Sequence, residues 1–198
     1  ITLVLGVFVG LVHGFLINEV KIAPFIVTLA SLTILRGIGL SISSSPVGRA
    51  SREFLLFYDQ KIGPVPVIAI MFAIMIVFTI LLLRYTAFGK YLYAIGGNPE
   101  VAHLSGVPVK RVRYGVYVIC SMTASVTGLL WLSRMGVGDP AIGDGIELQA
   151  ITAVIIGGTS LFGGRGTVIG TLGGVLLLGL TANLLVMLGV NQFIQGLI

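Results

Sequence analysis

The sequence predicts an all-α integral membrane protein, a polytopic helical bundle, and three observations carry that fold class. Hydrophobic residues make up 56% of the 198-residue chain and charged residues only 10%, whereas a water-soluble domain uses about 25% charged residues to cover its surface. The chain holds 28 glycines, which transmembrane helices tolerate because they let neighbouring backbones approach closely. Its apolar runs are continuous rather than alternating, which is the pattern of helices in lipid and not of a lipid-facing barrel.

A hydrocarbon core of about 30 Å takes roughly 20 helical residues. Taken in order, runs of suitable length and composition cover residues 1–17, 24–43, 66–83, 114–133 and 167–188. A further stretch, LQAITAVIIGGTSLF at 148–162, is short for a crossing and has a natural breaking point at Gly157–Gly158. This gives about six spans, one of them short or broken, in a single transmembrane domain over 1–198. The chain opens without Met inside an apolar run and closes on NQFIQGLI, which reads as the start of another span. An internal piece of a longer polytopic protein is therefore expected.

Net charge is +5. Because the basic residues lie between spans, they speak for orientation rather than for nucleic acid. The loop 84–113 carries Arg84, Lys90, Lys110, Arg111 and Arg113; Lys21 and Arg165 fall on the same side of the expected topology. The opposite loops, 44–65 and 134–147, carry Arg49, Arg52, Lys61 and Arg134. The bias places loop 84–113 in the cytoplasm. Gly6, Gly10 and Gly14 recur at four-residue spacing, as do Gly166, Gly170 and Gly174. Each set is expected to form a small-residue face on which another helix packs.

Catalytic chemistry is sparse. His13 and His103 are the two histidines, one in a span and one in a loop, so no shared metal site is expected. Cys120, inside an apolar run, is expected to be a small buried residue. The glycine-rich GGTSLFGGRGT at 157–167 lacks the order of a phosphate-binding loop, so the chain is not expected to hydrolyse ATP, to be an enzyme or to hold a cofactor. Polar residues within the apolar runs are few: Thr28, Ser31, Thr33, Ser121, Ser125, Thr159, Ser160 and Asn183. Most should bond to carbonyls of their own helix. Arg36, Thr159, Ser160 and Asn183 are the candidates for lining a path taken by a neutral, hydroxyl-rich solute, with snorkelling or structural pairing the competing use of Arg36.

The segment AIGGNPEVAHLSGVPVKRVR at 94–113 stands apart. Asn98 is a strong N-cap, Pro99 suits the first helical position, and Glu100 complements the positive helix end. Val101 to Leu104 continue the helix, Gly106 can end it in the left-handed conformation, and Pro108 is expected to prevent a restart. Val101 and Leu104 share a face. So short a helix is unstable alone in water: it rests either on lipid headgroups or in a groove of a cytosolic protein.

Three blocks, KIAPFIVTLASLTILRG (21–37), YAIGGNPEVAHLSGVPV (93–109) and AVIIGGTSLFGGRGTVIGTLGG (153–174), resemble, in that order, permeases of bacterial ATP-binding cassette (ABC) importers of the ribose/xylose/galactose type. The resemblance implies a multi-pass subunit of the bacterial inner membrane that imports a monosaccharide. Its implied partners are a cytosolic ATP-binding cassette subunit, a periplasmic substrate-binding protein, a second permease copy and membrane lipid. It also implies that Asn98, Pro99, Glu100, Ala102, His103, Leu104, Ser105 and Gly106 form the coupling helix seated on the ATPase. His103 stands where such permeases often have Arg, and Ala30 where glycine is common. The outer loops, with their Gly-Asp-Pro turn at 138–140, are candidate docking surfaces for the binding protein. A branched-chain amino acid or nucleoside is the rival substrate; an ion-coupled transporter or channel is the rival class, disfavoured by the lack of carboxylates within the spans.

Overall fold

The structure, a computed structural model, describes residues 1–191; the span expected to open at the C-terminus lies outside them. The described residues form helices α1 (Thr2–Asn18), α2 (Pro24–Ile42), α3 (Arg52–Asp59), α4 (Val67–Tyr85), α5 (Ala87–Gly97), α6 (Pro99–Leu104), α7 (Val109–Met135), α8 (Ile146–Ile156) and α9 (Val168–Met187). A two-residue hairpin, β1 (Lys61–Ile62) with β2 (Val65–Pro66), pairs Lys61 with Pro66 and Ile62 with Val65. Among the described residues four helices, α2, α4, α7 and α9, are long and apolar enough to cross a membrane. The 17-residue α1 covers about 25 Å, while α8, with 11 residues, covers only about half a bilayer.

The chain divides into two compact units. The first holds residues 1–78 and 106–142. In it α1 and α7 pack closely along their lengths, because the Gly6, Gly10 and Gly14 stripe meets Ser125, Val118 and Tyr114 in turn. A Cβ on Gly10 would lie 2.6 Å from Val118 Cα, so only glycine permits this approach. Lys110, in the first turn of α7, reaches both carboxylate oxygens of Glu19 just past α1, at 2.8 and 3.0 Å. Cys120 is exposed, not buried as expected; it lies off the face (Tyr114, Val118, Ser121, Ser125) that α7 turns to α1.

Helix α7 begins at Val109, five residues before the expected span, and Pro108 serves as its N-cap position instead of preventing a restart. Proline lacks a donor that a helix start does not need, so the break at Gly106–Pro108 separates two helices without suppressing the second. The 27 residues of α7 cover about 40 Å, which leaves the basic VKRVR turn outside a hydrocarbon core of about 30 Å. At the other end Gly136, at φ +75°, closes the helix, and Arg134 stacks 5.3 Å from the Trp131 ring, a pairing suited to the membrane boundary. The stretch expected as a plain loop at 44–65 contains α3, capped by Ser51, whose side chain accepts from Phe54 N–H. Ser133 Oγ donates to Phe54 O at 2.6 Å, and Val47 pairs with Gly138, so α3 and the Gly-Asp-Pro turn are parts of one folded patch.

Among the described residues the second unit holds 79–105 and 143–191. Helix α8 ends at Ile156, and Gly158 turns the chain at φ +81°, as the weak point at Gly157–Gly158 suggested. Helices α8 and α9 pack antiparallel, with Gly170 against Gly157 and Gly174 against Ala153. The expected second stripe is thereby shortened: Gly166 precedes α9 and meets Thr159 instead.

Candidate functional site

Helix α6 is built as its sequence demands. Asn98 Oδ1 accepts from Glu100 N–H at 2.9 Å and Val101 N–H at 3.1 Å, which satisfies two of the free donors at the helix start. Pro99 occupies the first turn. At the other end Ser105 donates both its N–H and its hydroxyl to Val101 O, and Gly106 turns away at φ +82°, a conformation that costs other residues energy. Val101 is 57% and Leu104 86% exposed, so the shared apolar face predicted for them points outward. Asn98, Pro99, Glu100, His103, Ser105 and Gly106 are also exposed. Ala102 is the exception at 4%. It faces inward and seats α6, which packs on α5, so its small side chain serves the joint and is not presented at the surface.

The helix beneath it, α5, lies where the sequence was read as loop. Thr86 is its N-cap, accepting from Gly89 N–H at 3.3 Å, and Phe88, Leu92 and Ile95 recur at helical spacing with Ile95 buried. The capping Thr and that spacing were the available signal. Gly96 rests backbone to backbone on Gly163 and Gly164, and Tyr93 Oη donates to Gly166 O at 2.9 Å. The glycine-rich loop after α8 is thus bound to the helix that carries α6.

That loop and α5 border a cavity of about 420 Å³. Thr159, Ser160 and Arg165 line it, together with Tyr93, Thr167 and Thr171. Thr159 and Thr171 hydroxyls stand 3.4 Å apart, and Thr167 caps α9 through Gly170 N–H. The structure therefore brings together Thr159 and Ser160, two of the four candidate path residues. Asn183 does not line this cavity; it is exposed on α9, 12 residues beyond Thr171, which is about 18 Å along the helix. Arg36 belongs to the first unit, half-buried.

In the first unit His13, on the glycine-striped helix α1, has a partner. Its Nε2 lies 2.7 Å from Ser31 Oγ, and the Tyr117 ring approaches edge-on with centroids 6.3 Å apart. Ser31 thus differs from Thr28, Thr33 and Ser125, whose hydroxyls bond to carbonyls of their own helices. Three helices meet at this imidazole, a juxtaposition that spacing along the chain does not encode. Among the described residues no group of three or more His, Cys, Asp or Glu side chains could hold a metal ion.

Residues 1–198 match a family described as branched-chain amino acid transport system / permease component. Over 186 residues the chain is 40% identical to the ribose import permease protein RbsC of Bacillus subtilis, covering 92% of this chain and 58% of that protein. It is 37% identical over 201 residues to ribose import permease protein RbsC of Escherichia coli K12, covering 99% and 63%. It is 39% identical over 196 residues to the L-arabinose ABC transporter permease protein AraH of Azospirillum brasilense, covering 96% and 56%. The chain thus spans about three fifths of the length of these relatives. No solved structure matches it.

Proposed function

The chain belongs to the branched-chain amino acid transport system / permease component family, and from that premise we propose that it is the membrane-spanning part of a binding-protein-dependent importer that moves a monosaccharide across the bacterial inner membrane. The ribose and arabinose permeases among its relatives support the sugar. The family description supports a branched-chain amino acid as the second reading. The single observation that carries the mechanism is α6: a helix closed at both ends, with Val101 and Leu104 turned outward and not covered by any of the described residues. An exposed apolar face on a short helix calls for a protein groove, and in this reading the groove belongs to a cytosolic ATP-binding cassette subunit. A periplasmic binding protein and a second permease copy complete the assembly.

Coupling follows from the second unit. Movement of the ATPase displaces α6; α5 carries the displacement to Gly96, and the backbone contact with Gly163–Gly164 passes it to α8 and α9. Glycine-on-glycine packing is stiff because it leaves no side chain to rotate, so a shift at one end appears at the other. Thr159 and Ser160, at the broken end of α8, are then placed to meet the solute's hydroxyl groups.

Two measurements test this. With the full-length permease, ATPase and binding protein in liposomes, sugar uptake should require both ATP and the binding protein; uptake driven by an ion gradient alone overturns the reading. The bias of basic residues puts α6 and Arg165 on the cytoplasmic side. In a Cys120→Ser background, Arg165→Cys and His103→Cys should react with an impermeant thiol reagent only from that side. Labelling of Arg165→Cys from the periplasm alone would show the orientation after α7 to be wrong.

A further inference from the structure

The chain turns sharply between α8 and α9, and the turn is held from within. Ser160 N–H donates to Arg165 O at 2.9 Å, Gly163 N–H to Ser160 O at 3.2 Å, and Phe162 N–H to Ser160 Oγ at 3.2 Å. Gly163 and Gly164 take φ of +91° and +74°, which fixes glycine at both positions. At the tip of this closed turn Leu161 is 69% and Phe162 98% exposed. An aromatic side chain presents roughly 150–250 Å² of surface, so leaving this one bare is costly unless something covers it.

We propose that the Leu161–Phe162 tip is a second point of contact with the ATP-binding subunit, beside α6. The inference rests on the reading of α6 given above. Two features of the second unit carry it. The first is level in the membrane. The 20 residues of α9 cover about 30 Å and by themselves fill the hydrocarbon. Since α8 pairs antiparallel with α9 through Gly157–Gly170 and Ala153–Gly174, residues 160–165 lie past the N-terminal end of α9, at or beyond the bilayer surface. Phe162 therefore is not solvated by lipid tails, unlike the exposed apolar side chains of the spans.

The second is continuity with α6. Gly96 lies against Gly163 and Gly164, and the N-cap Asn98 follows two residues later. Two residues at no more than about 3.6 Å each and six helical residues at about 1.5 Å, together with the Gly96–Gly163 contact and the further residue to Phe162, put Leu104 within roughly 25 Å of the tip. A standard interface of about 800 Å² per partner is on the order of 30 Å across, so one docked protein covers both. The tip and α6 then form two apolar anchors on one rigid base, and the turn reports the position of the ATPase directly to the broken end of α8.

The test uses the full-length permease assembled with ATPase and binding protein in nanodiscs, in a Cys120→Ser background. A benzophenone maleimide is attached at Phe162→Cys and, for comparison, at Leu104→Cys. Both positions should photo-crosslink to the ATP-binding subunit, and Phe162→Asp should weaken binding of that subunit by about 10–100-fold, as expected of an interface anchor. Crosslinking of Leu104→Cys to the ATPase with Phe162→Cys reaching only lipid overturns the tip's role and leaves α6 in place. Failure of both positions to crosslink to the ATPase overturns the tip and the reading of α6 together.

Discussion

Replacing Leu104 by aspartate in the full-length permease is expected to abolish co-purification with the ATP-binding subunit while the permease still inserts and folds. Leu104 is 86% exposed, so its side chain supports little inside the permease, and its loss leaves α6 closed by Asn98 and Ser105. In an interface the same side chain contributes about 1.5–3 kcal/mol of apolar burial. Aspartate adds the cost of desolvating an unpaired carboxylate. The sum corresponds to at least 100-fold in affinity, enough to empty a complex of micromolar or weaker strength. Leu104→Met, which keeps apolar volume, should retain binding within about tenfold. Undiminished co-purification of Leu104→Asp would remove α6 from the interface. The same variant should also lose ATP-dependent uptake, because the ATPase has then no grip on the permease.

Gly10→Leu should be the most damaging single change in the first unit. A Cβ there would stand 2.6 Å from Val118 Cα, 2.8 Å from Tyr117 O and 2.9 Å from Val118 N. All three are backbone atoms that cannot rotate aside, so α1 must move away from α7 along its length. Overpacking of a tight contact costs about 1–3 kcal/mol and more where no rotamer relieves it. The loss should appear as a fall of several degrees in the apparent melting temperature of the purified protein. Gly37→Ala is the matched control: nothing lies within 4 Å of its Cβ, and alanine favours the helix by about 0.8–1 kcal/mol. If the two variants melt alike, the glycine stripe is not a packing face.

The helices were largely legible because what makes them is local or compositional. Long apolar runs in a chain with few charges must be helical in lipid, and five of the expected spans match α1, α2, α4, α7 and α9 to within five residues at each end. The closure of α6 was legible to the residue, since a capping Asn, a Pro at N1 and a left-handed Gly act on their immediate neighbours. The misreadings share a cause. Helix α5 reads as loop in the sequence because Lys90 and a run of tyrosines and glycines mask its apolar face. Helix α7 is longer than its apolar run, which stops at VKRVR, because backbone hydrogen bonds continue past the edge of the hydrocarbon.

By itself, then, the sequence determined that this protein lives in a membrane, where its long apolar spans run, and that a short capped helix projects from them. Tertiary structure alone decided what those helices meet. It turned Ala102 inward and Leu104 outward on the same short helix. It joined His13 to Ser31 across 18 residues and laid Gly96 on Gly163 and Gly164. Caps and hydropathy act within one turn or one span, so they can be read along the chain. Partners far apart in sequence are selected by shape, here by the absence of side chains at glycines, and that complementarity exists only once both surfaces have formed.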